Sequence, residues 1–419
     1  MWLLFKIVNL ILLFASSFAW WSYSFPDYTF LFLALIVMTG TIALGQLGVR
    51  VTRRSVYVFG SIMLLSLIAL YSTGLSYFLY TFANAIPALL LFVLPPLRQR
   101  DLLDFVTKWY SIIIGLSILF YGFVTVTGMA PFSSFMPEKD GMDYIYKGFD
   151  NYYLFIRTVV DFEIFRFSGP FLEPGHLGMV SSILLFANGM NFKEKPMLWV
   201  LLLSVLLSLS LAGYVIVLLG FAYKALNTVR RVVYTLLIAG SMFVFVTKIW
   251  NEGENVVNEA IFERLEADKT KGIAGNNRTT TSTDYFFKKC MNDGTAWFGI
   301  GTQRSTKRAV GAGYKIYILN AGLVSLMAVA LMYLLLIPTN SNRRFGFAFF
   351  VLLALIFWQR AYPLWYSWLL PYVLSIGQTR LQPVSEPLLA AEEKESEDAD
   401  YSCSEEDNYD PATYNISNS

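Results

Sequence analysis

The chain has 419 residues, of which 56% are hydrophobic and only 15% charged, and its mean hydropathy is +0.51. A soluble domain carries about 25% charged residues, so the composition excludes a water-soluble globular enzyme and predicts a polytopic membrane protein. The formal net charge of +2 conceals two regions of opposite sign: from Gln382 onward there are eleven acids and one lysine, leaving 31 cations against 19 anions in the preceding 381 residues, a balance of +12.

Apolar runs suited to a hydrocarbon layer about 30 Å thick recur at 2–21, 28–45, 56–72, 76–96, 109–128, 176–191, 197–212, 213–229, 232–248, 313–337, 345–359 and 362–378. The expected fold is all-α, with about twelve transmembrane helices and two long external loops containing short amphipathic helices. The regions are N-terminal transmembrane helices (1–128), a first long loop (129–175), central helices (176–248), a second long loop (249–312), C-terminal helices (313–381) and a disordered acidic tail (382–419).

Cations set the orientation, because cytoplasmic loops are enriched in lysine and arginine. Arg50, Arg53 and Arg54 follow the second span, and Arg98, Arg100 and Lys108 the fourth. Lys193 and Lys195 follow the sixth, Lys224, Arg230 and Arg231 the eighth, and Arg343 and Arg344 the tenth. Every even-numbered exit is basic, so both termini are expected in the cytoplasm and both long loops outside. Residues 197–223 also read as one long helix, but a break near Ser208–Gly213 restores the charge pattern. An uncleaved first span fits this topology better than a signal peptide ending between Ala15 and Ala19.

The long loops are not low-complexity. In NEAIFERLEADK, Ile261 and Leu265 are four apart and predict a short helix. Cys290 falls in the second loop and Cys403 in the tail, so no disulfide is expected. The tail is too polar to fold alone.

Residues 166–178 read RFSGPFLEPGHLG. Gly169-Pro170 and Pro174-Gly175 predict two turns. Pro174 suits the first position of a helix, Glu173 sits near its positive end, and His176, the chain's one histidine, falls in its first turn. The stretch reads as a re-entrant loop. The bland alternative has Glu173 capping the helix and Arg166 reaching for headgroups. The second loop carries Arg264, Lys269, Lys271, Arg278, Lys288, Lys289, Arg304, Lys307 and Arg308, and Lys315 opens the next span. These cations suit either a solvated face or a phosphorylated lipid, whose oxygens arginine grips bidentately. Walker, HExxH and Cys/His-cluster motifs are absent. Asp161 and Glu163 are more simply surface residues than a metal site, so no metal and no cofactor is expected.

In four places the order of features resembles the O-antigen polymerase and O-antigen ligase superfamily of bacterial envelope enzymes. These are Arg166…Gly169…Glu173-Pro174-Gly175 entering a span, the short spans around SLSLAGY (208–214), the long loop with Arg264 and Arg278 ending in WFGIGT, and GYKIYILNAGLVSL (313–326). Together they cover about residues 160–335. Many members carry a His-Asn pair after the second loop, where this chain has GYKIY with Lys315.

The resemblance implies a metal-independent inverting glycosyltransferase at the periplasmic face of the bacterial inner membrane, acting in cell-envelope polysaccharide biosynthesis. Its donor would be an undecaprenyl-diphosphate-linked oligosaccharide, and its product O-antigen, capsule or exopolysaccharide. The candidate catalytic residues are Glu173, His176 and Arg166, and the candidate diphosphate-binding residues are Arg166, Arg264, Arg278 and Lys315. Implied partners are membrane lipid, a chain-length regulator and a flippase, with no nucleic acid. The Glu-Pro-Gly stretch favours a polymerase over a ligase transferring glycan to lipid A-core. A lipid-linked glycan transporter and a membrane scaffold stay open.

Overall fold

The computed structural model describes residues 1–23, 28–46, 51–135, 148–159, 166–225, 244–255, 281–301, 313–337, 343–360 and 362–378, with positions 233, 237, 240, 241, 258, 267–268 and 272–273 between them. The chain is mostly helical. The α-helices among the described residues are α1 (Trp2–Ser16), α2 (Trp20–Tyr23), α3 (Tyr28–Gln46), α4 (Arg53–Thr73), α5 (Leu75–Phe92), α6 (Pro96–Thr127), α7 (Pro174–Ala187), α8 (Leu198–Ser208), α9 (Leu211–Ala225), α10 (Thr281–Asn292), α11 (Tyr314–Leu336), α12 (Arg343–Gln359) and α13 (Tyr366–Gln378).

Among the described residues, four helical stretches are long and apolar enough to cross a membrane: Arg53–Ser72, Leu75–Phe92, Pro96–Thr127 and Tyr314–Leu336. The chain has the character of a helical membrane protein. Several expected spans are shorter than their apolar runs. Helix α1 stops at Ser16, where the Ser16 and Ser17 hydroxyls both bond back to the Leu13 carbonyl. Helices α7, α8 and α13 have 14, 11 and 13 residues, or about 21, 17 and 20 Å at 1.5 Å per residue.

Contacts at helix ends give the direction of each element. Lys6 bonds Asp101 near the start of α6 (2.8 Å), and Gln99 donates to the Leu91 carbonyl at the end of α5 (2.8 Å). Lys195, just before α8, pairs with Asp104, and Lys224 near the end of α9 donates to the Met190 carbonyl beyond α7. Arg54 at the start of α4 donates to Leu335 at the end of α11. These ends gather a basic rim at one end of the bundle. The opposite end holds the exit of α1, the start of α7 and the junction between α12 and α13.

The break between α8 and α9 falls at Leu209, whose φ is +45°. The two helices form a hairpin against α7. A Cβ on Gly178 would lie 2.5 Å from Ser210 Cβ, and one on Gly213 would lie 3.0 Å from the Gly178 carbonyl oxygen. Only glycine allows this approach, the small-residue contact that lets helices pack where lipid supplies no hydrophobic drive between them. The Ser182 hydroxyl bonds the Gly178 and Gly213 carbonyls across the seam. Buried hydroxyls of Tyr110, Ser181 and Ser204 tie α6, α7 and α8 together.

The first long loop differs from expectation. Among its described residues it forms no helix but a three-stranded antiparallel sheet: β1 (Ser133–Phe135), β2 (Gly148–Asn151) and β3 (Ile156–Val159), paired in that order. In GFDN, Phe149 and Asn151 are buried while Gly148 and Asp150 are half-buried, a period of two that fits a strand rather than a helix. In the second loop α10 is helical. The predicted helix over NEAIFERLEADK lies largely outside the described residues, and its Ala267–Asp268 is a strand paired with Gly272–Ile273.

The end of the second loop crosses α11 backbone against backbone. Helix α11 is interrupted at Gly322 (φ +88°), where a Cβ would lie 2.5 Å from the Trp297 carbonyl oxygen. The Ile300 N–H donates to the Leu319 carbonyl at 2.8 Å, closing the gap in the helix ladder. The glycines of WFGIG and NAG therefore meet each other.

Candidate active site

The re-entrant stretch is built against the exit of α1. Ala19 and Phe171 form an antiparallel bridge, the Trp20 N–H donates to Pro170 (2.9 Å), and the Leu172 N–H donates to Phe18 (3.1 Å). This pairing satisfies the backbone of a segment lying between helices. Gly169 turns the chain with φ +54°, and Pro174 then opens α7 as the first helical residue.

Glu173 occupies the N-cap position, yet its side chain makes no capping bond. Its carboxylate turns instead to Arg360, one residue past α12, with Nη2 2.5 Å from Oε2. The bland capping role is thereby replaced by an ion pair between the start of α7 and the end of α12. Gly175 makes room for it, since a Cβ there would lie 2.9 Å from Arg360 Nη2. The guanidinium is 8% exposed and the carboxylate 21%, so the pair sits at a partly open mouth. His176 Nε2 lies 3.8 Å from the same Oε2. Its ring is held by Phe18 and by the edge of Trp365, with centroids 5.3 and 5.2 Å away. Trp365 stacks on Tyr362 at 4.6 Å, which lies half-exposed beside the mouth.

Of the predicted site residues, the fold brings Glu173 and His176 together. Arg166 goes elsewhere: its Nε donates to the Ser208 carbonyl (3.1 Å) and its Nη2 to Leu209 (2.8 Å). A cation on the last carbonyls of α8 complements the negative end of that helix. Neither of these two bonds reaches Glu173. Lys315 pairs with Asp284 of α10 at 2.7 Å, pinning the second loop to the start of α11. Asp293 accepts from the Thr295 hydroxyl and N–H, which holds its carboxyl below the usual range. Arg264, Arg278, Asp161 and Glu163 lie outside the described residues, as does Cys403. Cys290 is a buried free thiol. Among the described residues, no three His, Cys, Asp or Glu side chains cluster as metal ligands.

Arg360 is the site residue that the sequence reading missed. Its only local signal is a lone cation between two apolar runs, in WQRAYPLW. The partnership with Glu173 spans 187 positions and no local pattern encodes it.

No family model, no curated protein and no solved structure matches this chain.

Proposed function

We propose that the chain is a membrane glycosyltransferase that polymerises undecaprenyl-diphosphate-linked oligosaccharide repeat units. In this reading about twelve spans cross the bacterial inner membrane. The basic rim and both termini face the cytoplasm, and the Glu173 end faces the periplasm. The supporting observation is Glu173 itself: a partly exposed carboxylate, ion-paired to a buried arginine and flanked by a histidine, at the end of the bundle opposite the basic rim. Ionisable groups at such depth are costly and concentrate where function needs them.

The chemistry follows from the charges. An acceptor hydroxyl attacks the anomeric carbon while the bond from that carbon to the diphosphate oxygen breaks. Glu173 accepts the hydroxyl proton, and His176, 3.8 Å from that carboxylate, is the alternative acceptor. General-base help of this kind is worth about 10²–10⁴-fold. The departing diphosphate gains negative charge, so fixed cations stabilise the transition state more than the ground state. Arg360 stands beside the base, and Arg264 and Arg278 of the second loop remain the proposed diphosphate ligands. Arg166 serves as a positioning residue that holds the α8–α9 turn against Gly178.

Reconstitution tests the reading. Purified protein in vesicles would receive host undecaprenyl-diphosphate repeat units with EDTA and without nucleotide. A ladder of lengthening lipid-linked glycan is expected. Transfer only when lipid A-core is supplied would make the protein a ligase. Folded, donor-binding protein that yields neither product would overturn the enzymatic reading in favour of a transporter.

A further inference from the structure

Tyrosines from α5 and from the α12–α13 connection gather beside the Glu173–Arg360 pair. Tyr362 stands in that connection and is 45% exposed. Its ring lies flat on Trp365, with centroids 4.6 Å apart and planes 3° from parallel. It is within electrostatic reach of Arg360, Glu173 and Tyr77. Tyr80 is half-exposed and within reach of Tyr77 and Tyr362. Tyr77 and Tyr80 stack on each other at 5.9 Å in the first turns of α5, at the end of the bundle opposite the basic rim.

Three features suit this cluster to an uncharged sugar. The first is charge. Glu173 and Arg360 neutralise each other, and Lys315 is paired with Asp284, so these groups offer strong charge-assisted hydrogen bonds without an excess of cations to draw an anion. The second is shape. One face of the Tyr362 ring is covered by Trp365, which leaves the other face and the edge to account for its exposure. A rigid aromatic face matches the C–H face of a pyranose, the apolar side of an otherwise polar molecule. The backbone that carries the ring is fixed, because the Trp365 N–H donates to the Tyr362 carbonyl at 3.2 Å and the Tyr333 hydroxyl to the Pro363 carbonyl at 2.5 Å. Little freedom is therefore lost when a ligand stacks there. The third is hydrogen bonding. The Tyr317 hydroxyl is engaged by Ser325, whereas those of Tyr77, Tyr80 and Tyr362 make no hydrogen bond among the described residues. A phenol both donates and accepts, as each sugar hydroxyl does. Tyrosines also gather at membrane interfaces, but a belt residue has no need to share a focus with an ion pair.

We propose that Tyr362, with Tyr77 and Tyr80 beside it, forms a sugar subsite that stacks a neutral pyranose of the acceptor glycan and presents one of its hydroxyls to Glu173. The inference rests on the glycosyltransferase reading for the identity of the glycan. It deepens that reading by assigning this mouth to the acceptor sugar and leaving the diphosphate to other residues. Tyr362 is in this account a positioning residue: its ring fixes the sugar and takes no proton.

Binding of the free glycan tests the subsite without turnover, so its failure is separable from failure of the enzymatic reading. The full-length protein in lipid nanodiscs would be titrated with the host's repeat-unit oligosaccharide released from its lipid diphosphate. Saturation-transfer NMR would identify the sugar protons in contact. Transfer is expected to the C–H protons of one pyranose face. Tyr362→Ala should raise Kd about tenfold, and Tyr362→Phe, which keeps the ring, only about threefold. Tyr77→Phe combined with Tyr80→Phe removes two hydroxyls at no cost in ring area and should also weaken binding. Trp199→Ala, an exposed aromatic at the basic end, should leave Kd unchanged. In the extension assay Tyr362→Ala should raise KM for the acceptor far more than it lowers kcat, and Tyr362→Phe should restore it, a split that misfolding would not give. No glycan binding by folded wild-type protein, an unchanged Kd in Tyr362→Ala, or displacement of the glycan by inorganic diphosphate would overturn the proposal. Glycan binding that depends on Tyr362 in a protein that makes no polymer would keep the subsite and overturn only the enzymatic reading.

Discussion

Arg360 Nη2 sits 2.5 Å from Glu173 Oε2, joining the end of one apolar helix to the start of another. The two charges are unequally buried, the guanidinium more deeply, and that asymmetry has a measurable consequence. Breaking a buried pair costs about 3–5 kcal/mol because the partner is left uncompensated. Glu173→Ala strands the deeper charge and is expected at the upper end, Arg360→Ala at the lower. The double variant should cost less than the two single costs combined. Thermal unfolding of the purified variants checks this, and equal, additive losses would contradict it.

Arg166 holds the carbonyls of Ser208 and Leu209. Bonds from a charged donor contribute about 1.5–3 kcal/mol. Arg166→Gln should therefore lower the stability of substrate-free protein by about 2 kcal/mol. Unchanged stability together with lost donor binding would instead make Arg166 a direct diphosphate ligand.

Gly178 and Gly220 both look crowded, but by different atoms. A Cβ on Gly178 meets Ser210 Cβ and Ser208 Oγ in the turn that Arg166 pins, at 2.5 and 2.7 Å. A Cβ on Gly220 meets chiefly Met190 Cε, the far end of a flexible side chain. Gly178→Ala is expected to cost about 3 kcal/mol by overpacking, and Gly220→Ala under about 1 kcal/mol. Thermal unfolding should rank them in that order, and the reverse ranking would mean that the α7–α9 seam is not the tight contact.

How much of this was readable beforehand follows from the range of each interaction. The start of α7 at Pro174 and the break after Ser208 are local, carried by proline and by a serine-glycine run, and both were legible. The small sheet of the first loop was not legible, because the period-two alternation of Phe149 and Asn151 runs over only four residues, too few to mark a strand without its partners. The meeting of Gly299 with Gly322 joins two backbones from different elements, which no local pattern encodes. Arg360 escaped because its meaning lies in a partner on another helix.

The placement of the ends is open to chemistry. Leu97 is exposed at the basic end and Phe132 is exposed at the other. With Cys290 replaced by alanine and Cys403 by serine, a membrane-impermeant maleimide applied to spheroplasts should label Phe132→Cys and spare Leu97→Cys until the membrane is opened. Labelling of both in intact spheroplasts, or only of Leu97→Cys, would contradict the orientation.

The most direct test of the central claim is the rate of glycan extension by Glu173→Gln in the reconstituted assay. The amide keeps the shape of the side chain but cannot take a proton at neutral pH. The account predicts a fall of about 10²–10⁴-fold in protein that still folds, inserts and binds the donor. A normal ladder from that variant would contradict the assignment of Glu173 as the base and, with it, the proposed active site.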